Sequence, residues 1–198
     1  MTKATGRGRV RDETKRAAIL SAALEIVETD GLGKLSMEGI AARAGVSKVT
    51  LYRWWSHPGE VLIDGLLDAV EPSLAWRDTG DFVHDWGRQL NAVVRFLNGP
   101  HGTVARAVVG AAQADEGVRK AYLTRFHLPR RTEIRSRVEE AVNRGQLAPE
   151  TDADTLMDLV YGALYYRLLI GHLPLTPRRT GQILAMALHG TGPQPARG

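Results

Sequence analysis

The chain has 198 residues, of which 43% are hydrophobic and 24% charged, so it is long and apolar enough to bury a core. It has no cysteine, which excludes disulfide scaffolds, thiolate metal sites and cysteine nucleophiles. No apolar run approaches the roughly 18 residues of a membrane span, and no apolar segment follows the basic N-terminus as it would in a signal peptide. The composition therefore predicts a globular cytoplasmic protein with no membrane partner.

The net charge of +4 is concentrated at the N-terminus. Residues 1–16 hold Asp12 and Glu13 against six basic residues, namely Lys3, Arg7, Arg9, Arg11, Lys15 and Arg16. Lysine and arginine bind a polyanion favourably because they release its counterions. Residues 1–11 are therefore interpreted as a disordered basic arm that binds phosphate groups. A tail that merely aids solubility is the alternative interpretation.

Helical signals dominate the first third of the chain. Apolar residues recur at spacings of three and four over 12–29, and Gly31 follows as a stop, which predicts an amphipathic helix. Ser36 is suited to cap a short second helix that ends at Gly45, and Ser47 to cap a third helix. Two short helices thus meet at a tight turn.

The rest of the chain also favours helices, and strand signals are nearly absent. A fourth helix begins at Pro58, where the first turn of a helix tolerates proline. Further helices are predicted at about 81–97, 102–114, 115–144 with a break or kink at Pro129, 152–170 and 177–188. The predicted divisions are a basic arm (1–11), a helix-turn-helix domain (12–57), a connecting helix (58–76), a helical bundle (77–190) and a disordered tail (191–198).

The segment 36–55 has the composition that a helix-turn-helix requires. Ala41 is small where the two helices cross, and Gly45 permits a left-handed turn. The apolar wedge between the helices is assigned to Ile40, Val46 and Leu51.

The third helix presents two different faces when its residues are placed at about 100° intervals. Leu51 and Trp55 point to one side and are predicted to be buried, with Trp55 seating this helix on the first one. The opposite side carries Lys48, Val49, Thr50, Tyr52 and Arg53. Recognition of bases in the major groove needs groups of this kind: an arginine, hydroxyls and an apolar side chain that can contact a thymine methyl. The alternative interpretation is a polar face that is simply solvated.

Two stretches resemble a known family. GLGKLSMEGIAARAGVSKVTLYRWWSHPGEVL is similar to the N-terminal DNA-binding region of the TetR family of bacterial transcriptional regulators, and DLVYGALYYRLLIGHLPLT resembles the C-terminal domain of one subgroup. The resemblance implies an all-α homodimer: an N-terminal three-helix helix-turn-helix head and a C-terminal helical bundle for ligand binding and dimerisation. It also implies that the residues matching Lys48 and Tyr52 touch phosphates or base edges.

One position departs from the family pattern. Pro58 stands where members commonly carry a phosphate-binding lysine, and proline has neither charge nor N–H. Ser56, His57 and the basic arm are expected to supply part of that contact, and the indole N–H of Trp54 is predicted to meet a phosphate. The predicted DNA-binding residues are therefore Ser36, Ser47, Lys48, Val49, Thr50, Tyr52, Arg53, Trp54 and His57, with Arg7, Arg9 and Arg11 on the arm.

The bundle is expected to dimerise and to bind an effector. The apolar surface over 156–170 favours an interface, although a single buried helix has a similar pattern. The candidate interface residues are Leu159, Gly162, Tyr166, Leu169, Ile183 and Met186. The candidate pocket residues, which ordinary core packing would also explain, are Trp86, Phe96, Tyr122, Phe126, His127, Tyr161 and Tyr165. Basic residues over 119–137 favour either an acidic ligand or a solvated helix face.

These observations predict a DNA-binding transcriptional regulator, most simply a homodimeric repressor released from its double-stranded DNA operator by a small hydrophobic or amphipathic effector. A regulator without a functional pocket, or an activator, is the alternative. The six histidines show no metal-ligand spacing and no catalytic motif is present, so no metal, cofactor or enzymatic activity is expected. A membrane-surface or purely protein-binding role has no supporting helix outside the helix-turn-helix.

Overall fold

A computed structural model describes the backbone of residues 5–189 and the side chains of residues 12–70 and 74–189. This part of the chain contains no strand, which confirms the predicted all-α class. Its helices are α1 (Thr5–Asp30), α2 (Met37–Ala44), α3 (Lys48–Tyr52), α4 (Pro58–Leu74), α5 (Phe82–Asn98), α6 (Gly102–Ala111), α7 (Glu116–Ala121), α8 (Leu128–Asn143), α9 (Ala153–Ile170) and α10 (Pro177–His189). A 3-10 turn spans Leu32–Lys34, and a π-helical segment, hereafter the π-turn, spans Tyr122–His127.

The chain divides into two compact units that interleave along the sequence. Unit 1 consists of the chain up to Pro72 together with Gly99–Pro129, and unit 2 consists of Ser73–Asn98 and the chain from Arg130 onward. Helices α6 and α7 therefore cluster with the helix-turn-helix, whereas the sequence analysis assigned them to a continuous bundle over 77–190. Local patterns could not reveal this, because membership of a unit depends on contacts between residues distant in sequence.

The core of unit 1 is formed where α1 crosses the short helices and α4. A Cβ placed on Gly65 of α4 would lie 3.1 Å from the Leu20 carbonyl oxygen, so glycine allows α1 and α4 to approach closely. The pair His101 Nδ1 and Glu28 Oε1, 2.7 Å apart, links the turn before α6 to α1. Fully buried apolar side chains of this core include Ile19, Ala23, Ile40, Leu51, Val61 and Leu62.

The core of unit 2 is built on α5. Its buried side chains include Trp86, Leu90, Val94, Ile134, Val138, Met157, Val160 and Leu164. The buried carboxylate of Asp85 accepts hydrogen bonds from the Thr79 backbone N–H at 2.7 Å and the Thr79 hydroxyl at 2.8 Å. Asn98 also donates to the Leu175 carbonyl at 2.8 Å. These bonds fix the loops at both ends of α5.

Three helices differ from their predicted extents. Helix α1 begins at Thr5, upstream of the predicted start at Asp12, and α3 ends at Tyr52 instead of continuing to Trp55. The predicted helix 115–144 is α7, the π-turn and α8 in succession. Pro129 lies just after the π-turn and has no N–H to donate to the Arg125 carbonyl, which accounts for the altered hydrogen-bond pattern at the predicted kink. No helix among the described residues has the length and apolar character that crossing a bilayer requires.

Candidate DNA-binding site

The helix-turn-helix is held by the predicted caps. Ser36 Oγ accepts the Gly39 N–H at 3.1 Å, and Ser47 Oγ accepts the Thr50 N–H at 3.2 Å. Gly45 adopts φ 65°, the left-handed conformation that the turn needs. The two serines predicted to bind DNA thus use their hydroxyls to start α2 and α3, so their structural role is local.

Helix α3 buries one side and exposes the other, as predicted. Leu51 is 0% exposed and Trp55 4%, whereas Val49 is 81% and Tyr52 52% exposed. Lys48 and Arg53 are exposed, and Thr50 is half-buried. We call the surface formed by Lys48, Val49, Thr50, Tyr52 and Arg53 the reading face.

The lysine of the reading face is paired within the protein. Lys48 Nζ donates to Glu38 Oε1 of α2 at 2.8 Å, and both side chains are more than half exposed. This hydrogen bond raises the pKa of Lys48 and lowers the pKa of Glu38, so both groups carry their charges at neutral pH. Since exposed ion pairs are weak, a phosphate can replace Glu38 at small cost.

Arg53 is held beside Trp54 at the end of the reading face. The guanidinium carbon lies 5.2 Å from the Trp54 ring centroid, and Arg53 Nη2 lies 3.8 Å from Asp12 Oδ1. The guanidinium group is planar by resonance, and the ring beside it restricts the freedom of the side chain, so that its paired N–H donors are available to contact guanine or phosphate in two places.

Trp55 is the anchor of α3. Its ring packs edge-on against Trp54, with centroids 5.5 Å apart and an interplanar angle of 82°. The indole N–H donates to Asp64 Oδ2 of α4 at 2.7 Å. The sequence analysis expected Trp55 to seat α3 on the first helix, whereas its polar contact is to α4. Asp64 was missed, because nothing in its local sequence marks it as a partner of Trp55.

Asp64 has a second partner, which is a cation. Arg125 Nη1, from the π-turn, lies 3.0 Å from Asp64 Oδ1 and 2.9 Å from Oδ2, and Arg125 Nη2 lies 3.5 Å from Glu60. Glu60 also accepts the backbone N–H of Ser56 at 2.8 Å. Burial raises the pKa of Glu60, but the Ser56 hydrogen bonds and the charge of Arg125 outweigh it and lower the pKa overall.

His57 faces α7. Its Nδ1 accepts the Gly59 N–H at 3.0 Å, and its Nε2 lies 3.9 Å from Asp115 Oδ1. A Cβ placed on Gly117 would lie 2.5 Å from His57 Nε2, so only glycine leaves room for the ring. This half-buried placement differs from the predicted phosphate contact, since one ring nitrogen is already occupied and the other faces a carboxylate.

Pro58 begins α4 as predicted. Trp54 is half-buried, which is compatible with the predicted phosphate contact of its indole N–H. The side chains of Arg7, Arg9 and Arg11 lie outside the described residues.

The candidate pocket residues belong to both units. In unit 1, the Tyr122 ring stacks on Phe126 at 5.6 Å and lies 6.0 Å from His127. In unit 2, the Trp86 indole N–H donates to the Tyr161 hydroxyl at 3.4 Å, and burial raises the pKa of Tyr161 to about 12.

Phe96 and Tyr165, the other two candidates, are half-buried residues of unit 2. A small cleft in the same unit is lined by residues outside the predicted set, namely Trp76, Asp78, Phe82, Asp85, Arg137, Glu140, Ala141, Arg144 and Gln146.

The candidate interface residues form an exposed surface on α9 and α10. Leu159, Tyr166 and Leu169 are 55%, 59% and 48% exposed, and Met186 is 57% exposed. Gly162 is exposed and Ile183 half-buried. Ile170, which the prediction omitted, is 62% exposed. Because α9 buries Leu156, Val160 and Leu164 on its other side, it is not the fully buried helix that was the alternative.

The basic residues over 119–137 are largely paired with carboxylates. Arg131 and Arg135 contact Asp154 at 2.9 and 2.6 Å, and Arg131 also contacts Asp158 at 2.7 Å. Arg119, Arg130 and Arg137 pair with Glu116, Glu133 and Glu140. These pairs explain most of the cluster as internal ion pairing, so it does not by itself indicate an acidic ligand.

Comparison with known proteins decides the family. A model of the N-terminal domain of "Bacterial regulatory proteins, tetR family" matches residues 19–57, and a model of "Tetracyclin repressor-like, C-terminal domain" matches residues 76–187. The chain belongs to the TetR family. The members of this family are transcriptional regulators and not enzymes, as the sequence predicted. The first match includes α2, α3 and the reading face, so this TetR-family protein is a DNA-binding transcriptional regulator.

Individual relatives agree with this assignment. The uncharacterized HTH-type transcriptional regulator YdeS of Bacillus subtilis is 40% identical over 164 residues, which cover 83% of each chain. The DNA-binding transcriptional repressor TetR of Mycobacteroides abscessus is 31% identical over 81% of this chain and 85% of its own. The crystal structure of the TetR family transcription regulator SCO0332 superimposes with a TM-score of 0.78 at 36% identity, covering 90% of this chain and 99% of that one.

Proposed function

We propose that the protein is a homodimeric repressor that binds a two-half-site operator and leaves it when a small hydrophobic or amphipathic effector binds. The observation that carries the proposal is the reading face, which presents a stacked arginine, a lysine, hydroxyls and an exposed valine from a helix fixed at both ends. Such a set supports hydrogen bonds to guanine and phosphate and an apolar contact to thymine. The similarity to a DNA-binding transcriptional repressor supports repression over activation.

The size of the reading face supports the proposed dimer. A five-residue helix contacts only a few base pairs, so specific affinity requires two reading faces about 34 Å apart on one side of the duplex. The exposed apolar surface of α9 and α10 supports a two-fold interface, because a single chain gains nothing by exposing Tyr166, Leu169 and Met186 to water.

An effector site is supported by buried polar atoms in unit 2. Within the described part of the chain, Arg88 Nη2, Gln89 Oε1, Asn91 Oδ1 and Arg167 Nη1 are buried without a hydrogen-bond partner. Unpaired buried polar atoms are costly, and a bound molecule with polar groups would satisfy them. Trp86 and Tyr161, which lie on the same two helices, have ring centroids 6.3 Å apart and would suit the apolar body of such a molecule. Release then requires the effector to bind the DNA-free arrangement more tightly.

Selection of bound fragments from genomic DNA, followed by titration at several salt concentrations, tests the proposal. We expect an approximately palindromic site, bound by a dimer. Arg53→Ala should weaken operator binding by about tenfold or more. If Arg53 contacts a base, the preference at that base pair should relax; if it contacts a phosphate, the salt dependence of binding should fall by about one unit of slope. The matched control is Arg106→Ala, which removes an exposed arginine of unit 1 whose side chain contacts Thr103. Failure to bind any duplex at moderate salt, or equal losses in both variants, contradicts the proposal.

The effector claim has its own test. Compounds that raise the melting temperature should also release the operator, and Tyr161→Ala should reduce both effects together. Compounds that stabilise the protein yet leave operator affinity unchanged would favour the alternative of a regulator without a functional pocket.

A further inference from the structure

Asp64 connects α3 to the π-turn, where Arg125 lies 61 residues further along the chain in the same unit. Its carboxylate accepts the Trp55 indole N–H at 2.7 Å and lies within 3.0 Å of Arg125 Nη1 through both oxygens. The Asp64 side chain is only 15% exposed and Trp55 is buried. Charge-assisted bonds shielded from water hold their partners in one geometry better than exposed pairs do.

The orientation of α3 depends on this anchor. The helix has five residues, and isolated helices shorter than about 12 residues are marginal, so its direction is set by what it packs against. Leu51 and Trp55 are its buried contacts, and of the two only Trp55 has a directional polar bond. A shift of the Asp64 carboxylate therefore moves Trp55, and with it the Trp54 ring on which Arg53 stacks.

The direction of Arg125 is in turn set by the π-turn. Arg125 lies inside this segment, and Pro129 cannot donate a hydrogen bond to the Arg125 carbonyl as an α-helix would require. Side chains in a π-helical turn point in other directions than they would in a continuous α-helix. The interrupted helix thus aims Arg125 at α4.

We propose that Asp64 and Arg125 are positioning residues for DNA reading. Arg125, 61 residues away in sequence and outside the helix-turn-helix, orients the Asp64 carboxylate, and the carboxylate orients Trp55 and α3. The proposal requires only that α3 reads DNA, and it does not depend on the proposed effector.

The decisive experiment combines nuclear magnetic resonance with operator titration. The chain has four tryptophans, so the protein gives four indole N–H signals, and Trp55→Phe assigns the one that belongs to Trp55. Arg125→Met keeps an unbranched apolar stem and removes the charged guanidinium group. We expect it to shift the Trp55 indole signal, to leave the Trp86 signal of unit 2 unchanged, and to weaken operator binding by about tenfold. The control is Arg119→Met, because Arg119 is an exposed arginine of α7 that pairs with Glu116. It should change neither the Trp55 signal nor the operator affinity.

Two further variants separate positioning from a general loss of folding. Asp64→Asn keeps an oxygen for the Trp55 N–H but loses the ion pair, and Arg125→Lys keeps the charge with fewer donors; both should give smaller shifts and smaller losses than Arg125→Met. All measurements are made where circular dichroism shows the variants as helical as the parent. In the Trp55→Phe background, which has no indole N–H at position 55 to bind Asp64, Arg125→Met should lose most of its effect on affinity.

Two outcomes overturn the proposal. One is an unchanged Trp55 signal with unchanged operator affinity in a folded Arg125→Met protein. The other is a tenfold loss that persists in full in the Trp55→Phe background, since Arg125 would then act by another route.

Discussion

Helices α3 and α9 both expose side chains that are proposed to bind other molecules, but the two helices differ in the chemistry of these side chains and in the contacts that hold each helix in place. Helix α3 has five residues, depends on the Ser47 cap and its buried anchors, and exposes cations and hydroxyls. Helix α9 has 18 residues, is long enough to persist as a helix, and exposes leucine and tyrosine. Exposed polar groups on a short helix that is held by its cap and buried anchors can hydrogen-bond to a nucleic acid. Exposed apolar groups on a long helix can pack against a second protein surface.

The largest expected effect is loss of the α3 anchor. Trp55→Ala should lower the free energy of unfolding of unit 1 by about 3 to 5 kcal/mol, because it removes a buried ring and leaves Asp64 without its indole partner. Denaturant unfolding measures this loss. Trp54→Ala, which truncates the half-buried neighbour, should cost much less; equal losses would contradict the assignment of Trp55 as the anchor.

The next effect concerns the exposed surface of α9. Leu169→Glu should convert the proposed dimer to a monomer, seen as a halved mass in light scattering. It should also weaken operator binding by about a hundredfold, because a monomer cannot bind both proposed half-sites at once. Val83→Glu places the same charge at an exposed apolar position of unit 2 outside the proposed interface and should leave the mass unchanged. A Leu169→Glu protein that keeps the parental mass would exclude this interface.

A smaller effect is expected from the N-terminal segment. Deleting residues 1–11 removes Lys3, Arg7, Arg9 and Arg11 and should weaken binding to all duplexes alike, with a shallower dependence on salt. Titration of specific and random duplexes between about 50 and 200 mM salt checks this. The same salt slope in the truncated protein would show that the arm makes no phosphate contact.

The smallest effect concerns the pH dependence of unit 2. The Arg144 guanidinium holds the pKa of Asp78 at about 2, below its ordinary 3.8, so the pair stabilises the fold above about pH 4 and loses this contribution as the pH falls towards 2. Asp78→Asn should therefore be less stable than the parent at neutral pH, and the difference should shrink below pH 4. Both side chains are exposed, so the effect is small. A difference that stays constant from pH 7 to pH 2 would show that the ion pair contributes nothing.

The sequence by itself determined the helix-turn-helix and which side of its third helix is buried. Capping by Ser36 and Ser47, the left-handed Gly45 and the burial of Leu51 and Trp55 follow from spacings of three and four residues. The exposed apolar surface of α9 was predicted for the same reason. Such features are encoded locally, because neighbouring residues on a helix share its geometry.

Only the tertiary structure decided which distant residues act together. It grouped α6 and α7 with the helix-turn-helix, placed Arg125 on Asp64 across 61 residues, and turned His57 towards Asp115. The arginines over 119–137 appeared from sequence to be one basic cluster, yet their partners include Asp64, Asp154 and Asp158. Ion pairs between helices leave no periodic trace in the sequence, because their geometry depends on how the helices pack and not on their spacing along the chain.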